Sequence, residues 1–134
     1  MNTFINLHPK LKFILEKGKN NTLNFLDLTI QKIKFQKKFN FNYSIYRKPT
    51  TSKLSIDYNS IHPNSHKWSN FHFLLNRLNN IPLSKNNYKK EFNIILDIAK
   101  YNNFPINKIQ SLNNRIKTKL NNKKFTTLQN SKDN

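Results

Sequence analysis

The chain has no cysteine and a single glycine, Gly18. The first absence excludes disulfides and thiolate metal sites. The second leaves no room for a glycine-rich phosphate cradle; no Walker-type loop, dinucleotide-binding glycines or G-x-S-x-G elbow occurs. Acidic residues are scarce, at 6 Asp+Glu against 24 Lys+Arg. They are Glu16, Asp27, Asp57, Glu91, Asp97 and Asp133, and no two make a DD, DxD or ExxE pair. A two-metal phosphoryl-transfer site needs carboxylates converging on ions roughly 3.5–4 Å apart, so only the fold itself can bring Asp27 and Asp57 together. His62 and His66 stand at helical ligand spacing, but Pro63 lies between them and no third ligand follows at a matching distance. The chain is therefore expected to be no enzyme and to hold no cofactor or metal. No run of about 18 apolar residues is present, so no membrane span is expected. Met1–Lys12 lacks the apolar run of a signal peptide, which points to an intracellular protein of open compartment.

What the chain does have is cationic charge, a net +18 over 134 residues. Such a balance repels itself and is relieved by an anionic partner, with nucleic acid the first candidate and an anionic membrane surface the second. The abundance of Asn, Lys and Ile is also what an A/T-rich coding sequence produces, so charge alone does not select the partner.

Hydrophobic periodicity divides the chain. Leu11–Glu16 reads as a strand, Lys17-Gly18-Lys19-Asn20-Asn21 as a turn with Gly18 or an Asn free to take positive φ, and Leu23–Phe35 as a second strand. A third strand follows from Phe39 to Arg47, making an antiparallel meander over residues 1–47. Residues 48–65 form a basic Ser/Thr/Pro loop without period. Three helices follow over 66–120: His66–Asn79 after a Ser65 cap, Lys85–Tyr101 after a Ser84 cap, and one from Pro105 or Ile106 to Leu120. Residues 121–134 are polar and expected to be a disordered tail. The fold class is α+β: a three-stranded meander, then a three-helix bundle.

The functional stretch is Tyr43–Lys67. Its cations suit phosphate pairing, its hydroxyls suit hydrogen bonds, and its aromatics offer faces for stacking. Arg47 is the most telling residue in it, because arginine is kept where the chain otherwise writes lysine, and arginine brings bidentate geometry.

Several blocks in order, NFLDLTI (24–30), SIYRKPTTSKLSIDYNSIHPNSHK (44–67), LLNRLNNI (74–81) and IAKYNNFPINKI (98–109), resemble the region after the catalytic core in reverse transcriptases of Penelope-like retroelements and their relatives. The family pattern has a glycine where this chain has Asn103, and often an alanine where it has Leu78. The resemblance covers about Lys12 to Ile109. It implies the edge of a palm sheet and a helical, helix-turn-helix-like thumb, cut away from the polymerase carboxylates and their YxDD hairpin, which this sequence lacks. Asp27 resembles a structural palm-edge position. Arg47, Lys48, Thr50, Lys53, His62, His66, Lys67 and Arg77 are the expected nucleic-acid-binding residues, with template–primer (an RNA–DNA hybrid or duplex DNA) and the missing catalytic palm as implied partners. The alternatives are a free-standing helix-turn-helix DNA-binding protein and a translated relic without function.

Overall fold

The structure is a computed structural model and describes residues 16–36 and 38–130. Three strands come first, β1 (Thr22–Phe25), β2 (Leu28–Phe35) and β3 (Lys38–Ile45); three helices follow, α1 (Asn64–Asn80), α2 (Lys85–Tyr101) and α3 (Ile106–Asn130). The sheet is antiparallel in the order β1-β2-β3. The α+β architecture is as the sequence predicts, but the strands are divided differently. Leu11–Leu15, expected as the first strand, lie outside the described residues. The stretch expected as one strand from Leu23 to Phe35 is a hairpin, with Phe25 paired to Leu28 around Leu26-Asp27. Leu26 takes φ 52°, a conformation that L-residues with bulky side chains rarely adopt. Asp27 holds the turn in place: its carbonyl accepts from the Tyr46 amide at 2.8 Å and its carboxylate lies 3.4 Å from Arg77.

The turn before β1 does follow its sequence signal. Asn20 and Asn21 both have positive φ, 50° and 58°, and Lys19 and Thr22 exchange backbone hydrogen bonds of 3.0 and 2.9 Å. That is a type I′ turn, whose twist matches the flanking strands. Gly18 serves it by close approach: a Cβ there would sit 2.9 Å from the Thr22 carbonyl oxygen.

Paired residues of a sheet share a face. Leu23, Ile30 and Tyr43 therefore lie on one face with Phe25, Leu28, Ile45, Phe39 and Phe41. The end of β3 nearest α2 is half-buried, and Asn87 donates to the Tyr43 carbonyl at 2.8 Å. Farther out, Phe39 and Phe41 are exposed, with the Lys32 ammonium 3.9 Å over the Phe39 ring.

The core lies in the helices. Phe71, Leu74, Leu75 and Leu78 of α1 meet Ile95, Ile98 and Ala99 of α2 and Ile109, Leu112 and Ile116 of α3. These positions recur at three and four residues, the spacing that gives a helix one apolar face. Each fully buried Leu, Ile or Phe among them contributes about 1.5–3 kcal/mol relative to exposure. Ser84 caps α2, accepting from the Asn87 amide at 3.3 Å. Ser65 does not cap α1, which begins one residue earlier at Asn64 behind Pro63. The backbone of α3 stays helical to Asn130, ten residues past the expected end at Leu120, where the tail was expected; residues 131–134 lie outside the described residues.

The link between α2 and α3 is a Schellman motif. Asn103 takes φ 61°, the Phe104 amide donates to the Ala99 carbonyl at 2.9 Å, and the Asn103 amide donates to Lys100 at 3.2 Å. Asparagine is the residue after glycine best suited to this left-handed position, which accounts for Asn103 at the place of a glycine. The motif turns Phe104 into the core, where its ring meets Tyr58, Trp68 and Phe71 at 5.2, 5.2 and 4.4 Å.

The segment expected as a loop without period is strapped across this link. Asn102, 4% exposed, accepts from the Ser55 amide at 2.9 Å and donates to the Lys53 carbonyl at 2.8 Å. Its own carbonyl accepts from the Tyr58 amide at 3.0 Å. One buried side chain thus satisfies loop backbone groups that would otherwise be stranded.

Candidate nucleic-acid interface

The carboxylates are segregated. Asp27 and Glu91 face arginines, Asp97 lies 3.7 Å from Lys53, and Asp57 accepts from the Asn59 amide at 2.8 Å and the Asn103 side chain at 2.6 Å. Neither α1 nor α3 contains a single Asp or Glu, whereas α3 carries Lys108, Arg115, Lys117, Lys119, Lys123 and Lys124. At about 100° per residue, Lys108, Arg115 and Lys119 fall within roughly 40° of one another on the flank of α3 that looks toward α1.

That flank and α1 enclose a groove of two adjoining hollows. The first is lined by Trp68, His72, Lys108, Ser111, Leu112 and Arg115. The second shares His72, Leu112 and Arg115 and continues past Asn76, Ile116 and Lys119 to Leu120 and Lys123. The floor is apolar and aromatic, the rim is cationic, and among the described residues no carboxylate lines either hollow. A low-dielectric floor under a cationic rim concentrates positive potential along such a cleft.

The mouth of the groove is fixed by the strapped loop. Lys108 donates to the Tyr58 hydroxyl at 3.0 Å and stands 5.5 Å over its ring. This hydrogen bond and then the Lys108 charge lower the Tyr58 pKa below its ordinary value of 10.0; desolvation opposes them, and the more distant Lys67 charge adds the least. Lys67 donates to the Tyr58 and Ser60 carbonyls at 3.0 and 3.1 Å, so it clamps the loop to α1.

The eight residues expected from sequence do not form one surface. Arg47 makes a bidentate pair with Glu91, which is 5% exposed. Arg77 lies 3.4 Å from Asp27 and 3.8 Å from Glu91, with its Nε buried and without a hydrogen-bond partner among the described residues. These two arginines therefore join the sheet to α1 and α2, a structural task, and Lys67 holds the loop. Lys53 pairs with Asp97 at the surface. Lys48 and Thr50 are exposed on a β-turn closed by a 2.9 Å bond from the Thr51 amide to the Lys48 carbonyl. His62 contacts the Ser60 hydroxyl at 3.1 Å, and His66 is exposed in the first turn of α1. Sequence reasoning missed His72, Lys108, Arg115 and Lys119. The signal was present, since Lys108, Arg115 and Lys119 are spaced by seven and four residues along the helix that also carries the Ile109, Leu112, Ile116 stripe.

Compared with known families, residues 54–114 match the family model described as an animal helix-turn-helix domain. The matched span takes in the strapped loop from residue 54 onward, α1, α2 and the first part of α3, so the chain contains a helix-turn-helix-like region. No curated protein and no solved structure matches the chain. No described helix is long and apolar enough to cross a membrane.

Proposed function

We propose that the chain binds nucleic acid through its helical module, holding the phosphate backbone, and performs no chemistry of its own. The observation that carries this reading is the helix-turn-helix match falling on a module whose first and third helices hold cations and no carboxylate. Cations on phosphates position a protein along a strand and carry no sequence information by themselves. At the finer level, we read the chain as the part of a Penelope-like or related retroelement reverse transcriptase that follows the catalytic core. It grips template–primer while the parent polymerase supplies the carboxylates. The ordered blocks from NFLDLTI to the Asn103 turn support that origin.

The second reading is a free-standing DNA-binding protein, favoured by the helix-turn-helix match itself. Fluorescence anisotropy with an RNA–DNA hybrid and with duplex DNA of several sequences separates the two. Backbone gripping predicts similar affinity across sequences and a log–log salt slope of about −0.9 per phosphate met. A strong preference for one duplex sequence would favour the second reading, and no binding to any of these ligands would refute both.

A further inference from the structure

We infer that the α1–α3 groove is a site for an unpaired nucleic-acid strand, such as a single-stranded extension beside a duplex. The inference rests on the nucleic-acid reading above and specifies which form of the ligand this site takes.

Shape gives the first argument. Gripping a duplex backbone calls for cations on a projecting ridge, yet the exposed row of α3 opposite its apolar stripe, Asn107, Asn114 and Thr118, is uncharged. The cations stand instead on the rim of a concavity. Chemistry gives the second. Along the floor run the faces and edges of Trp68, Leu112, Ile116 and Leu120, with Lys108, Arg115 and Lys119 above them. Apolar or aromatic floors with cationic rims match the two halves of an unpaired nucleotide, a base that seeks stacking and a phosphate that seeks charge. In a duplex the bases are stacked on each other and cannot use such a floor. The run from Lys108 to Lys123 is about 22 Å at 1.5 Å per residue, long enough for several nucleotides.

Availability gives the third. Of the chain's arginines, Arg47 and Arg77 are held by Glu91 and Asp27. Arg115 is exposed, belongs to both hollows, and has no ion pair among the described residues. A planar guanidinium over an apolar floor can pair a phosphate and stack on a base at once, so Arg115 is the anchor of the site.

Trp68 is the one tryptophan of the chain, and it makes the proposal directly testable. The full chain is titrated with a blunt duplex, the same duplex bearing a short unpaired extension, and the extension alone, reading labelled-ligand anisotropy and Trp68 emission together. The extension should tighten binding about tenfold, the worth of roughly one stacked base, and quench Trp68. Arg115→Ala and Lys119→Ala, both at exposed positions, should abolish that gain, so that blunt and extended duplexes bind each variant alike, with the far-ultraviolet circular dichroism intact. Equal affinity for blunt and extended duplexes, or binding with Trp68 emission unchanged, overturns the inference and leaves the nucleic-acid reading standing. Absence of any anisotropy change with all three ligands overturns both.

Discussion

Glu91→Gln replaces one buried oxygen by an amide and leaves two guanidiniums facing each other. Glu91 is 5% exposed, and the Arg47 and Arg77 side chains are 20% and 13% exposed. Arg47 takes both carboxylate oxygens, and Arg77 reaches one of them at 3.8 Å while also meeting Asp27. At about 4 Å and an effective dielectric near 20, each attraction amounts to roughly 4 kcal/mol before desolvation. Much of that is offset in assembling the network, but removal of the shared carboxylate leaves the desolvation uncompensated, and such deletions destabilise by about 3–5 kcal/mol. The expected loss for Glu91→Gln is of that size, read by urea unfolding followed by far-ultraviolet circular dichroism. With a slope of about 1–3 kcal/mol per molar urea, the midpoint falls by more than about 1 M. Replacing Glu91, Arg47 and Arg77 together by apolar residues of similar volume should recover much of the loss, because no buried charge then remains. A Glu91→Gln loss below about 1 kcal/mol would refute the reasoning, since the guanidiniums would then have found water or other partners at no penalty.

Other substitutions probe separate parts of the fold. Asn103→Val forces a β-branched residue to φ 61° and should cost about 1–2 kcal/mol in the same unfolding assay, whereas Asn103→Gly relieves the backbone, loses the 2.6 Å bond to Asp57, and should come out near neutral. Asn102→Ala strands the Ser55 amide and the Lys53 carbonyl; a loss of about 1–3 kcal/mol is expected, with faster amide hydrogen exchange at Ser55 and Tyr58 and little change in the core of α1. Tyr58 should ionise below the ordinary tyrosine value in an ultraviolet pH titration, and Lys108→Met should abolish that lowering by removing its largest cause. The sign follows from linkage: a lowered folded pKa means the native state binds fewer protons than the unfolded one, so this group's contribution is complete above the unfolded pKa and is lost as pH falls through the folded value.

The helices were legible because a 3.6-residue period needs only local sequence to be seen, and α2 begins and ends where its apolar stripe and the Ser84 cap predict. The first hairpin was not legible. Its turn has no glycine or asparagine, and apolar residues continue through Leu26, so nothing in the string marks the reversal. The left-handed Leu26 is tolerated because Tyr46 and Arg77, distant in sequence, fix Asp27. The setting of the arginines was illegible for a similar reason. The scarcity of arginine singled out Arg47 as a residue with a dedicated geometry, but its partner Glu91 lies 44 residues away, and only the fold reveals that the geometry serves an internal carboxylate, which Arg77 shares. Arg115 has no ion pair among the described residues, and it is the absence of acid on α1 and α3, rather than any motif, that draws attention to it.

The shared carboxylate of Glu91 has a further consequence for where this protein can be cut. The residues that match the helix-turn-helix domain, 54–114, include Glu91 and Arg77 but exclude Arg47 and Asp27. They also stop one residue before Arg115 and exclude Lys53, whose carbonyl receives Asn102. A segment trimmed to those limits would carry a half-neutralised buried acid, an arginine without its aspartate and a groove that keeps Lys108 but loses Arg115 and Lys119. The stretch that the family model matches is thus smaller than the stretch tied together by these contacts. Expression boundaries set by homology alone should yield a weaker, less basic protein than boundaries that begin before β1 and run to the end of α3.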